Sequence, residues 1–457
     1  MRPPLTADPG PAIAIHAMTS EEWKSWVQDR PASLAKQAAL QDFRAQAGQV
    51  LLAPAVDGAV ERVLLGLGET PMPASFGALG KALPSGDYRI DFLPAGMSLE
   101  LCATAFALGA YAFDHYKPRK REAARLIGLG PAFAAADRVA RAVYLARDLV
   151  NKPANLVGPD GLHAEAEALA ERIGARFSAI VGDALLAQNY PMIHAVGRAA
   201  GEAPRLLHLQ WGDGDHPRIA LVGKGVTFDS GGLDIKNDAG MRLMKKDMGG
   251  AANVLAMAGA IAEANLGVCL DVWAPVVENA IGAHAFRPGD IIATRKGLHV
   301  EIDNTDAEGR LILADALTRA GEENPGLTLD FATLTGAARI ALGQDITPVF
   351  TDDDSLAADF AAASRDTGDM TWRLPLWQPY EAEMDCMAAD VKNAGDTSQA
   401  GAILGALFLK RFAPSKAWAH LDCYCWTLRE RPGRPVGGDA QGLRAALAVI
   451  EHRFGKA

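Results

Sequence analysis

The chain has 457 residues, 49% of them hydrophobic and 22% charged, with a formal net charge of −10. That length predicts two or more domains, and the balance is ordinary for a soluble globular protein with a sizeable core. The acidic charge argues against nucleic acid or an anionic membrane as the default partner, and no stretch approaches the ~20 apolar residues of a membrane span.

The N-terminus, MRPPLTADPGPAIAIHAM, carries prolines and an aspartate where a signal peptide would carry an apolar core, so a cytoplasmic location is expected. Residues 1–133 are rich in Ala, Pro and Gly, with short apolar runs such as QVLLAPAV and RVLLGLG. They read as a small, mixed α/β domain without a catalytic constellation. Residues 134–150, AAADRVARAVYLARDLV, place apolar residues at helical spacing and stop at NKP, with Pro153 as the terminator. The segment 134–157 is therefore expected to connect the first domain to a larger one at 158–457.

From about 160 onward helices and strands alternate. GLHAEAEALAERIG reads as a helix and RIALVGKGVTF as a strand. GGAANVLAMAGAIAEANLG is a helix and CLDVWAPVV a strand. GLHVEID is another strand, GRLILADALTRAGEE a helix and LTLDFATL a strand. Strands separated by helices of this length predict an α/β fold with a mainly parallel central sheet covered by helices. Ligands of such sheets sit beyond the carboxyl ends of the strands. The five cysteines include a C-x-C at Cys423 and Cys425 but no histidine at zinc-finger spacing, so reduced thiols in or near a core are expected.

Two charged clusters fall in loops after strands. The first, LVGKGVTFDSGGLDIKNDAGMRLMKKDMGGAA, contains Lys224, Asp229, Lys236 and Asp247. The second, NTDAEGR, contains Asp306, Glu308 and Arg310. The glycines fail the spacing of both a phosphate loop and a dinucleotide loop; they fit tight turns around a site. Four carboxylates brought together would repel unless cations intervene, and oxygen ligands suit Mg²⁺, Mn²⁺ or Zn²⁺. The plain alternative is a set of solvated loop charges, with Thr305 and Glu308 forming a capping box for a helix at 309–323. Lys224, closing an apolar strand between two glycines, is oddly placed for a surface lysine, whereas Lys245 and Lys246 are expected to be exposed.

These motifs resemble those of the leucyl aminopeptidases, the two-metal M17 cytosol aminopeptidases. The likeness lies in VGKGVTFDSGGLDIK, KKDMGGAAN, ENAIGAHAFRPGD, NTDAEGRLILADAL and DFATLTGAARIALG, and more loosely in DVKNAGDTSQAGAILGALFLKRF and HLD. It implies a metallo-exopeptidase with a variable N-terminal domain, a catalytic C-terminal domain and a homohexameric assembly. It also implies two divalent ions, zinc or manganese, held by Lys224, Asp229, Asp247, Asp306 and Glu308, with a bridging hydroxide as nucleophile. Lys236 would stabilise the gem-diolate. Arg310, helped by backbone near Gly309 and Leu334, would hold a bicarbonate that shuttles protons. Met244, Thr333 and Gly336 match positions lining the pocket for the first side chain of a peptide with a free N-terminus.

The chain departs from the family in four places. The first ~130 residues show no recognisable likeness. Ala280 stands where the family commonly has Met, and NLVGPD replaces a more usual Thr-Pro. After HLD, CYCWTLRERPGRPVGGDAQGLRAAL strays from the family's small-residue run, so a leucine preference is not carried over. Two other functions are less well supported by the sequence. A DNA-binding role is disfavoured by the net charge and the lack of a basic run, and an inactive scaffold by the presence of every expected site residue.

Overall fold

In the computed structural model, which describes residues 2–55, 58–395, 397–414 and 417–455, the apolar run Ile13–Met18 lies inside a five-stranded sheet. Val60–Gly66 and Asp87–Phe92 flank it in parallel. Val50–Pro54 adds an antiparallel edge and Arg125–Leu126 a parallel one. Helix Leu99–Ala110 starts where the Ser98 hydroxyl accepts the Leu101 N–H, and it buries nine of its twelve residues. Ile15, Val63, Phe76, Tyr88 and Phe106 share one core. Residues 427–437 cluster with this N-terminal unit of residues 1–144; within it Lys81 Nζ lies 2.6 Å from Glu430. Helix Ala132–Asn151 stops two residues before Pro153.

The second unit spans 145–426 and 438–457. Its sheet has nine strands. Four central ones, Ala417–Asp422, Leu327–Ala332, Arg218–Gly223 and Cys269–Asn279, run parallel in that order. Antiparallel neighbours lie on each side, Thr347–Phe350 at one and Arg205–Trp211 at the other. The central strands are mostly apolar and almost wholly buried because both faces are covered. Ala220 and Val222 join a cluster with Leu311, Ile312 and Leu404, while the alternating Ile219 and Leu221 are also fully buried. Helix Gly249–Glu263 is so rich in Ala and Gly that it packs closely and buries thirteen residues.

Two expectations change in detail. RIALVGKGVTF is two strands, Arg218–Gly223 and Gly225–Asp229, broken at Lys224. GLHVEID supplies a strand at His299–Glu301, but it belongs to a separate three-stranded sheet with Ile291–Ala293 and Val391–Lys392. Its polar, alternating pattern suits a half-exposed sheet rather than the buried parallel one.

Candidate active site

Strand register brings the charged loops to one edge. Phe331 pairs with Gly223 and Ala332 with Asp422, so three parallel strands end together. Lys224 follows directly. Its N–H donates to Phe331 O at 2.9 Å, and its carbonyl accepts from Ala251 N at 2.8 Å. The backbone is thereby pinned between a neighbouring strand and the start of a helix, and the residue is 3% exposed. Its Nζ lies 2.8 Å from both Asp247 Oδ2 and Glu308 Oε1 and donates to Thr333 O at 3.2 Å.

Asp229 closes the resumed strand. Its Oδ1 accepts from Gly231 N and Asn279 Nδ2, each at 2.8 Å, and its Oδ2 lies 2.8 Å from Lys236 Nζ. Gly231, at φ 88°, lets the loop turn back so that Lys236 also pairs with Asp306. Asp247 sits in the turn Met244–Met248 ahead of helix Gly249–Glu263 and accepts from the Thr333 hydroxyl at 2.6 Å. Glu308 is the first residue of helix Glu308–Glu322. The capping box is not formed. Ala307 is the N-cap and makes no side-chain cap. The Thr305 hydroxyl donates instead to Gly231 O at 2.7 Å, and the Thr305 N–H donates to Asp234 at 2.7 Å, which ties the two charged loops together.

One oxygen from each of Asp229, Asp306 and Glu308 lies within 4.8 Å of the others. Burial, then the charge of Asp229, pushes the Glu308 carboxyl up to about 8 and Asp306 up to about 6. Burial alone would push the Lys224 and Lys236 ammonium groups down, but the surrounding carboxylates outweigh it and hold both above their ordinary range. Burial acts upward on Asp247, and Lys224 beside it more than compensates, so its carboxyl lies below the usual value. Glu308 Oε2 is buried and accepts no hydrogen bond among the described residues. Glu308 Oε1 and Asp247 Oδ2 sit beside Lys224 without the alignment of a hydrogen bond. Buried carboxylate oxygens that lack directed donors are costly. An all-oxygen cluster of this kind matches the ligand preference of a divalent cation.

The sequence profile of the cytosol aminopeptidase family's catalytic domain matches residues 144–447, and that of the M17 aminopeptidase N-terminal domain matches 13–128. The chain belongs to the cytosol aminopeptidase family. A probable cytosol aminopeptidase of Syntrophotalea carbinolica is 38% identical over 378 residues, covering 79% of this chain and 76% of that one. The crystal structure of the Coxiella burnetii cytosol aminopeptidase superposes with a TM-score of 0.92 at 41% identity, covering 98% of this chain and 99% of the other. The bottromycin maturation enzyme BotP, in complex with Mn, gives 0.88 at 31% identity, covering 97% and 100%. The chain is a metal-dependent aminopeptidase. The expectation that the N-terminal region shows no family likeness is overturned, because the family's N-terminal domain profile covers residues 13–128.

In this aminopeptidase a cavity of about 530 Å³ is lined by Lys224, Asp229, Lys236, Asp247, Asp306 and Arg310, and by Met244, Thr333, Leu334 and Gly336. Glu308 and Gly309 lie against it: a Cβ on Gly309 would stand 2.5 Å from Lys224 Cε. The residues expected to hold metals, bicarbonate and the first side chain thus lie in or against one cavity. Arg310 is 8% exposed. Its Nη1 donates to Asn393 O at 2.6 Å, its Nε has no acceptor, and it makes no ion pair among the described residues. Burial lowers its guanidinium to about 10. The Leu334 N–H is already engaged, donating to Asp422 Oδ1 at 2.9 Å.

The expectation for Lys246 is overturned. It is 5% exposed, because the turn Met244–Met248 directs it inward beside Asp247. Burial pushes its ammonium down, with Asp247 opposing in part. Lys245 is partly buried and donates to Asn151 O at 2.6 Å. Four positioning residues were not read as such from the sequence, and only Thr305 carried a signal, for a helix cap that it does not make. Asn279 joins Asp229 to Thr305 O, and Thr305 joins the loops. Asn393 accepts from the Asp303 and Asn304 N–H groups, and Asp422 orders Leu334 and Thr335. Each lies inside or next to a quoted motif, but a loop Asn or Thr is unremarkable until its partner is known.

Proposed function

We propose that the carboxylate cluster holds two divalent ions, zinc or manganese, and that the enzyme removes single residues from peptides with a free N-terminus. The observation that carries this is Glu308: a buried carboxyl that accepts no hydrogen bond among the described residues and has an oxygen within 4.8 Å of Asp229 and Asp306 oxygens. Asp229 and Glu308 would serve both ions, Lys224 and Asp247 one, and Asp306 the other. Such a pair supplies a Lewis acid and a water of lowered pKa.

The remaining work falls to the chain. Lys236, held in the cavity wall by Asp229 and Asp306, donates to the oxygen on which charge develops as the scissile carbonyl is attacked. Arg310 would hold a bicarbonate ion, a proton carrier of carboxylate type, at its unsatisfied Nε. Gly309 assists from the first turn of its helix, where N–H groups lack intrahelical acceptors. Because the Leu334 N–H is taken by Asp422, Leu334 contributes to that site through its position in the wall. Met244, Thr333 and Gly336 would border the first side chain. Family likeness alone supports a homohexamer, and the names of the relatives support a cytosolic enzyme.

The test is hydrolysis of aminoacyl-p-nitroanilides and dipeptides after chelation and re-addition of Mn²⁺ or Zn²⁺, with metal counted per chain. Cleavage restored by metal, abolished by N-acetylation and accompanied by two ions per chain is expected. One ion per chain at full activity would refute the two-ion reading.

A further inference from the structure

The same cavity holds a cationic wall that the chemistry above does not use. Lys246 is 5% exposed, and among the described residues its Nζ makes no hydrogen bond and no ion pair. It lies 4.9 Å from the centroid of the Tyr424 ring. Arg339 sets its guanidinium 4.3 Å from that ring and likewise has no carboxylate partner among the described residues. All three line the cavity that contains the carboxylate cluster. The acid next to it in the chain, Asp247, is committed to Lys224 and Thr333. Tyr424 is fixed in place, because its N–H and that of Cys425 both donate to Gln441 Oε1, at 3.0 and 2.9 Å.

A buried ammonium that contacts a ring face and stands near a carboxylate committed to other donors is under-satisfied, since a cation–π contact offsets part of the lost hydration and supplies no acceptor. An anionic group entering the cavity would complete it. An apolar side chain would displace water and leave Lys246 unpaired. We infer that the enzyme selects peptides whose first residue is acidic, Glu or Asp, with the side-chain carboxylate meeting Lys246 against Tyr424 and Arg339 reinforcing it from the mouth. This rests on the proposed seating of the first residue beside Met244, Thr333 and Gly336, which border the same cavity.

The experiment compares kcat/KM of the metal-reloaded enzyme on Glu-Ala, Gln-Ala, Leu-Ala and Ala-Glu. Glu and Gln are nearly isosteric, so their ratio isolates the charge. Glu-Ala is expected to exceed Gln-Ala by about tenfold or more, the worth of one hydrogen bond to a charged group. Lys246→Met should bring the ratio towards one, and Lys246→Arg should keep it above one. Arg339 is exposed, so Arg339→Gln should fold and lower the ratio in part, even if Lys246→Met does not fold. Cleavage of Leu-Ala or Gln-Ala as fast as Glu-Ala would overturn the acidic preference while leaving the aminopeptidase reading intact. So would a Glu preference confined to the second position. Failure to cleave any of the four would overturn both.

Discussion

Gly309→Ala sets two effects of opposite sign against each other. Gly309 lies in the first turn of helix Glu308–Glu322, and its φ is not in the left-handed region. Helix propensity alone would make alanine more stable there by at most about 1 kcal/mol. The added Cβ, however, would lie 2.5, 2.6 and 2.7 Å from Lys224 Cε, Nζ and Cδ. Lys224 cannot step aside cheaply, since its Nζ is held by Asp247, Glu308 and Thr333 O. Overpacking of this kind costs about 1–3 kcal/mol, so the clash wins and the metal-free protein should be less stable by about 1 kcal/mol. Displacing a candidate ligand by a fraction of an ångström should matter more for turnover, with a loss on the order of 100-fold. Thermal unfolding of the chelated protein and kcat/KM after metal re-addition measure the two effects. In a Lys224→Ala background the methyl group has room, and Gly309→Ala should become neutral or stabilising. A single Gly309→Ala variant with raised Tm and unchanged turnover would refute the reasoning.

Asp315 gives a pH prediction away from the metal cluster. It is fully buried and accepts from Met192 N at 2.9 Å and Arg295 N at 2.8 Å, yet burial pushes its carboxyl up to about 7 against those donors. Between about pH 4, where the unfolded carboxyl titrates, and about 7, the folded state keeps a proton that the unfolded state has lost. Its contribution to stability therefore falls as pH rises through that window and is level above it. Asp315→Asn should flatten this part of the profile in urea unfolding at pH 5 and 8; an identical slope in both proteins would contradict the assignment. Thr333→Val removes the hydroxyl that donates to Asp247 at 2.6 Å. Leaving a buried charged acceptor short of a donor should cost about 1–3 kcal/mol and weaken metal binding, and an unchanged denaturation midpoint together with unchanged metal affinity would count against it. Light scattering should give the mass of six chains, and a monomer's mass would dispose of the hexamer.

The charged residues of the candidate site stood out in the sequence because they occupy local signals, whereas Met244, Thr333, Leu334 and Gly336 came only from the family resemblance. Lys224 interrupts an apolar run between two glycines, and Asp306, Glu308 and Arg310 crowd the entrance to a helix. Their convergence was not legible. It depends on Phe331 pairing with Gly223 and Ala332 with Asp422, a register set by contacts between segments about 100 residues apart. The same limit explains the capping box. Thr305 and Glu308 have the right spacing for one, but Thr305 finds Gly231 and Asp234 across the fold, and only tertiary contact reveals that competitor.

Composition and periodicity by themselves determined an α/β chain with a mainly parallel sheet, a long helix near 134–150 and two carboxylate-rich loops after strands, since apolar spacing reports directly on which faces must be buried; a metal-binding role for those loops came from the resemblance to the leucyl aminopeptidases. The tertiary structure alone decided three things. It grouped residues 427–437 with the N-terminal unit. It placed Asn279 and Asn393 as braces of the charged loops. It turned Lys246 inward to face Tyr424. A lysine beside an aspartate reads as a solvated pair, and its environment is set by neighbours from distant parts of the chain, which local pattern does not encode.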